Sequence, residues 1–266
     1  MSPSYEHPVE VRGLIARYGD VTVLDGVDLT VKAGEIRVIL GGSGSGKSTL
    51  LKHIIGLYRP AGGVVKLLGV DLATADEPEI EAVLPKVGML FQGGALLNSM
   101  TLHDNVALPI IERTDLPRSV VDDIVRMKLS LLGLSHAADR YPRELSGGMQ
   151  KRAGLARAMA LDPEVLFCDE PSAGLDPITA AELDRVILGL RDRFGMAIVV
   201  VTHELDSINT IADRVIMVGK GRKIADGPLD EVKNMDNAEV RDFFQRRLPD
   251  EDDRASSVLS VLEGGA

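Results

Sequence analysis

One short stretch constrains this chain more than anything else in it. Gly41-Gly42-Ser43-Gly44-Ser45-Gly46-Lys47-Ser48 fits the pattern G-x-x-x-x-G-K-[ST]. It directly follows the run Ile36 to Leu40, apolar except for Arg37, which reads as a strand buried on both faces. A segment from about Lys47 to Ile55 comes next and reads as a helix closed by Gly56. Glycines let the backbone turn tightly, so that several N–H groups converge on one anion. The helix N-terminus adds the equivalent of about half a positive charge. This arrangement predicts a site for nucleotide phosphates. Lys47 would reach the β- and γ-phosphates, the Ser48 hydroxyl would ligate Mg²⁺, and Thr49 completes the candidate set at the helix start.

A second element agrees. Val165-Leu-Phe-Cys-Asp169-Glu170 is an apolar strand ending in two carboxylates, expected beside the phosphate loop. Asp169 is placed to hold Mg²⁺ through its water shell, and Glu170 to act as general base on the attacking water. Beyond it the pattern alternates: helix from Pro177 to Phe194 with Asp176 as its cap, strand from Ala197 to Val201, strand from Arg214 to Val218. Such alternation predicts a mostly parallel sheet with right-handed crossovers. Residues 9–31 alternate polar and apolar, as antiparallel strands do, and 93–160 reads mostly as helix. There Thr101 with Asp104 resembles a capping box, and Pro117 opens a helix ending at Gly133.

Composition narrows the partners. Forty acidic against thirty basic side chains leave a formal charge of -10, which repels phosphate backbones and disfavours nucleic acid. Aromatics are only 3% with no Trp, so the core is expected to be aliphatic. The single cysteine, Cys168, allows no internal disulfide and reads as a small core residue. Apolar runs such as Ala197 to Val201 fall far short of the ~20 residues a bilayer requires. No signal-peptide pattern opens the chain, so a cytoplasmic protein reaching the membrane through a partner is expected.

Leu145-Ser146-Gly147-Gly148-Met149 stands between the phosphate loop and the acidic strand. With it the chain resembles the ATPase subunits of ABC transporters over residues 8–248. The resemblance implies an α/β fold: a P-loop core with a mostly parallel sheet, an antiparallel β subdomain and an inserted α-helical subdomain at about 93–160. Residues 249–266 would form a tail with an acidic run and then Val258, Leu259, Val261 and Leu262, either a disordered end or a segment docking on a second subunit. By the same resemblance Tyr18 stacks on adenine, and Gln92, after Val87 to Phe91, is a Mg²⁺ and water ligand. Ser172-Ala-Gly-Leu-Asp176 is the D-loop, and His203 contacts the γ-phosphate. Ser146, Gly147 and Gly148 stand at the start of an apparent helix, Met149 to Ala160, and form a second anion site. In the family that site faces the phosphate loop of a second copy, so ATP holds a head-to-tail dimer together. Met149 departs from the Gln that many members carry there, while the Ser-Gly-Gly is intact.

Three functions compete: a transporter's energising subunit, a soluble ATPase of DNA maintenance or translation, and a non-hydrolysing switch. The segment between Ser48 and Leu145 leaves no room for a long coiled-coil insertion, and the net charge disfavours DNA. Glu170 and His203 argue against a switch without hydrolysis. Transport is the expectation. Phe91-Gln92-Gly93-Gly94-Ala95-Leu96-Leu97, Asp104-Asn105-Val106-Ala107 and Asp176-Pro177-Ile178-Thr179 resemble the ATPases of Mla-type (mammalian-cell-entry) phospholipid transporters. This implies lipid transport between inner and outer membranes, through a separate permease and a periplasmic lipid-binding MCE-type subunit. The ATPase would sit at the cytoplasmic face of the inner membrane. The alternative is polar-solute import of the amino-acid type, or lipoprotein release.

Overall fold

The computed structural model describes residues 5–245. The N-terminal part is antiparallel: β1 (Val9–Tyr18) and β2 (Val21–Val31) pair as a hairpin. β4 (Gly62–Leu67) and β5 (Val70–Asp71) extend it to the order β2-β1-β4-β5. Between them lie β3 (Ile36–Leu40) and α1 (Lys47–Ile54). The chain continues through α2 (Glu77–Val83), β6 (Val87–Leu90), α3 (Leu102–Arg113), α4 (Arg118–Leu131) and α5 (Gly147–Ala158). It then alternates: β7 (Val165–Asp169), α6 (Pro177–Phe194), β8 (Ala197–Val201), α7 (Leu205–Ile211) and β9 (Arg214–Gly219). It closes with β10 (Arg222–Pro228), α8 (Leu229–Lys233) and α9 (Ala238–Gln245).

The second sheet has the order β10-β9-β3-β8-β7-β6, parallel except for β10 at one edge. Its central strands are buried on both faces, which is why they read as apolar runs; β3 is interrupted only by Arg37, which is buried and paired with Asp226. On β7 the alternation divides two cores: Val165 and Phe167 pack toward α1 and the antiparallel sheet, Leu166 and Cys168 toward the helical layer. Phe167 is the one aromatic ring fully buried among the described residues, so the core is aliphatic as its composition requires. Cys168 lies within it, and burial pushes its thiol up to about 12.

The architecture is the α/β fold expected, with one correction of strand order. The strand ending in Asp169 is not beside β3. β8 intervenes, pairing Asp169 with Val201 on one side and Ile39 with Val201 on the other. Local signals set the helices. Thr101 caps α3 by accepting from the Asp104 N–H, but the Asp104 carboxylate takes the Thr101 hydroxyl rather than closing a reciprocal box. Asp76 and Glu79 do form a complete box at α2. The tail at 249–266 lies outside the described residues.

Candidate nucleotide site

In a parallel sheet the strand ends at the carboxyl edge hold the ligand. Here that edge delivers the glycine loop after β3, Gln92 after β6, Glu170 after β7 and His203 after β8. The glycine loop tolerates no side chain at its ends. A Cβ on Gly41 (φ 147°) would lie 2.1 Å from the Val218 carbonyl oxygen, and one on Gly46 (φ 107°) 2.6 Å from the Leu24 methyl. Lys47 bends back over the loop and donates to the carbonyls of Gly41 (2.9 Å) and Gly42 (2.8 Å). Gly42, Ser43, Gly44 and Ser48 are exposed, and Thr49 is half-buried. A cavity of about 260 Å³ is lined by Val23 and residues 44–49. Burial lowers the Lys47 ammonium below its ordinary value, opposed by the Glu170 and Asp169 charges.

The acidic pair divides into two environments. Burial and the adjacent Glu170 charge raise the Asp169 carboxyl, against the pull of Lys52, Lys47 and Lys151. Glu170 is a non-glycine residue in the left-handed region (φ 46°), fixed by its N–H donating to the Val201 carbonyl at 2.8 Å. That turn brings its Oε1 within 2.8 Å of His203 Nδ1, while Oε2 is buried without a partner.

The Ser-Gly-Gly stretch opens α5 two residues earlier than its sequence pattern indicates: the helix starts at Gly147, not Met149. The reason is the Ser146 hydroxyl, which caps it by accepting the Met149 N–H at 3.3 Å. Gly148 must be glycine, since a Cβ there would sit 2.3 Å from the Thr179 methyl. Asp176 caps α6 through the N–H groups of Ile178 and Thr179 and takes the Thr179 hydroxyl at 2.6 Å; these bonds hold its carboxyl below the usual range. Ser146, Gly147 and Asp176 are all exposed. Tyr18 is 43% exposed and meets Tyr58 edge-on, with ring centroids 5.8 Å apart.

The site thus brings together the loop lysine, both carboxylates and His203. The Gln92 side chain is exposed, and its backbone carbonyl accepts from Lys151. Lys151 and Arg157 have no place in the sequence reading, because charged residues inside a helix pattern ordinarily face solvent. Their signal is positional: with Gly154 they recur every third residue, on one helical face.

Comparison with known proteins agrees with this geometry. The family described as "ABC transporter" matches residues 24–173. The chain is 41% identical over 239 residues to mkl of Mycobacterium tuberculosis, a "probable ribonucleotide transport ATP-binding protein", covering 90% of this chain and 67% of that one. It is 39% identical over 237 residues to MlaF of Haemophilus influenzae, an "intermembrane phospholipid transport system ATP-binding protein", covering 89% and 90%. To MetN of Carboxydothermus hydrogenoformans, a "methionine import ATP-binding protein", it is 42% identical over 212 residues, covering 80% and 63%. Among solved structures, the dimeric post-hydrolysis state of the ATP-binding cassette MJ0796 with ADP and Pi aligns with a TM-score of 0.75 at 30% identity, covering 83% of this chain and 98% of that one. With the glycine loop, the paired carboxylates and the capped Ser-Gly-Gly helix in one chain, the protein belongs to the ABC transporter family, as an ATP-binding subunit that hydrolyses ATP.

Proposed function

We propose that this chain energises phospholipid transport between the inner and outer membranes, as one of two copies beneath a separate permease at the cytoplasmic face of the inner membrane. The similarity to MlaF carries the reading, because it extends over nine-tenths of both chains, whereas the similarity to MetN leaves more than a third of that relative unmatched. No helix among the described residues is long and apolar enough to cross a membrane, which accords with a separate membrane-spanning partner. A groove of about 270 Å³ beside the Gln92 loop supports a docking place for that partner. It is lined by Leu84, Pro85, Met89, Phe91, Pro109 and Arg157, among others.

The residues divide the work as follows. The loop from Gly41 to Gly46, with Lys47 and Thr49, binds the phosphates, and Tyr18 stacks on the adenine. Lys47 exchanges its carbonyl partners for phosphate oxygens. The donor set Ser48, Gln92 and Asp169 is one hydroxyl, one amide and one carboxylate, which suits Mg²⁺ when phosphate oxygens and water fill the remaining positions. Mg²⁺, when bound there, neutralises phosphate charge. Glu170 accepts the proton of the attacking water at Oε2, the oxygen without a partner. His203 orients the same carboxylate through Oε1, and by the family resemblance it reaches the γ-phosphate. Ser146, Gly147, Gly148 and Asp176 of each copy complete the ATP site of the other. A periplasmic MCE-type subunit would receive or deliver the lipid.

The test is to purify the intact membrane complex and identify its subunits and bound small molecules. A permease with a lipid-binding periplasmic subunit and co-purifying phospholipid supports the proposal. A soluble amino-acid-binding protein in their place overturns the lipid reading and leaves the ATPase untouched.

A further inference from the structure

Lys151 takes no part in the steps above, yet it is only 7% exposed. It lies on α5, in the turn after the Ser146 cap. Its ammonium donates to two backbone carbonyls, that of Gln92 and that of Glu170, the latter at 3.2 Å. These two residues follow β6 and β7, neighbouring strands of the parallel sheet. One side chain therefore ties helix α5 to both loops.

The rest of that helical face grips the same place. Arg157 donates to the carbonyls of Ala95 (2.5 Å) and Gly94 (3.2 Å). Between the two cations Gly154 lets the loop approach, since a Cβ there would stand 3.0 Å from the Gly94 carbonyl oxygen. Residues 151, 154 and 157 thus form one row against 92–95. A buried ammonium is costly, and an apolar side chain would fill the space at less expense. Burial lowers the Lys151 ammonium, while the charges of Glu170 and Asp169 oppose that shift. By binding the Glu170 carbonyl, Lys151 holds the left-handed turn that aims the carboxylate and leaves Oε2 without a partner.

We propose that Lys151 is a positioning residue for ATP hydrolysis: it locks the main chain at Gln92 and Glu170 to the helix that begins with Ser146-Gly147-Gly148. The base then moves with the helix end that contacts the phosphate of the opposite ATP, so closure of one site sets the carboxylate in the other. The inference rests on the roles assigned above to Gln92 and Glu170.

The test compares steady-state Mg²⁺-dependent ATP hydrolysis by the full chain and its Lys151→Met and Lys151→Arg variants, together with binding of a fluorescent ATP analogue. Loss of orientation without loss of the phosphate loop lowers kcat by about ten- to a hundred-fold in Lys151→Met. KM and analogue affinity stay within about two-fold of the parent, and Lys151→Arg, which keeps a donor and the charge, recovers most of the rate. A parental kcat in Lys151→Met overturns the proposal. So does a rise in KM matched by weaker analogue binding, which marks a structural role only. If Lys151→Met does not fold, Lys151→Gln is measured against the same criteria. A Glu170→Gln variant that turns over at the parental rate sinks the assignment of the base instead, which separates the two failures.

Discussion

His203 Nδ1 stands 2.8 Å from Glu170 Oε1, and the other oxygen of that carboxylate is buried with no partner. In the proposed mechanism the first oxygen orients the carboxylate and the second takes the proton. Glu170→Gln keeps the shape and the hydrogen bond to His203 but cannot take up a proton. Turnover is expected to fall by about 10²–10⁴-fold, the usual contribution of a general base, with ATP binding unchanged. Phosphate release and analogue titration check this, and parental turnover would show that another group activates the water.

The strands of the parallel sheet are visible in the sequence because burial on both faces makes them almost wholly apolar: Ala197–Val201 has no polar residue, and Ile36–Leu40 only Arg37, which is buried against Asp226. The glycine loop and Asp169–Glu170 are equally plain, since phosphate chemistry admits few alternatives there. Strand order is not, because the insertion of β8 between β3 and β7 depends on pairings distant in sequence. β10 also escapes notice: it is a half-exposed edge strand ending in Gly227-Pro228. α2 is only seven residues long, although Asp76 and Glu79 announce it. Lys151 needs the fold itself, because nothing in its neighbours on the chain indicates two distant carbonyls as its partners.

Lys47 gives a second prediction. Its ammonium spans the carbonyls of Gly41 and Gly42 and, among the described residues, has no competing carboxylate bond. Lys47→Ala removes a charged donor to phosphate, a loss of about 1.5–3 kcal/mol, or roughly ten- to a hundred-fold in ATP affinity. Titration calorimetry with ATP measures it. Affinity equal to the parent's would mean that the loop N–H groups suffice.

The exposed Ser146 cap predicts behaviour in assembly. The Glu170→Gln protein, which retains ATP, is expected to form a dimer on adding ATP, read by light scattering. Adding Ser146→Arg places a long side chain where the opposite phosphate must come and removes the cap, so the ATP-driven dimer should be lost. Equal dimerisation of the doubly substituted protein rules out facing sites.

Asp184 offers a prediction in pH. It lies on α6, 3% exposed, with Oδ1 unpartnered and Ser207 beside it, and Ser207 Oγ is 3.2 Å from the Oγ of Ser172 in the loop after β7. Burial raises its carboxyl above the ordinary value, the Ser207 bond opposing. The folded state therefore holds the proton more tightly than the unfolded chain. Stability falls as pH rises from about 3.9, the unfolded value, through the folded one, and the penalty is constant above it. Asp184→Asn has the same shape and cannot ionise. Its advantage over the parent should grow between pH 4 and pH 8, each kcal/mol raising Tm by about 2–4 °C in a domain of this size. Calorimetric melting at the two pH values decides it: a difference in Tm that is the same at both would show that the buried carboxyl carries no such penalty.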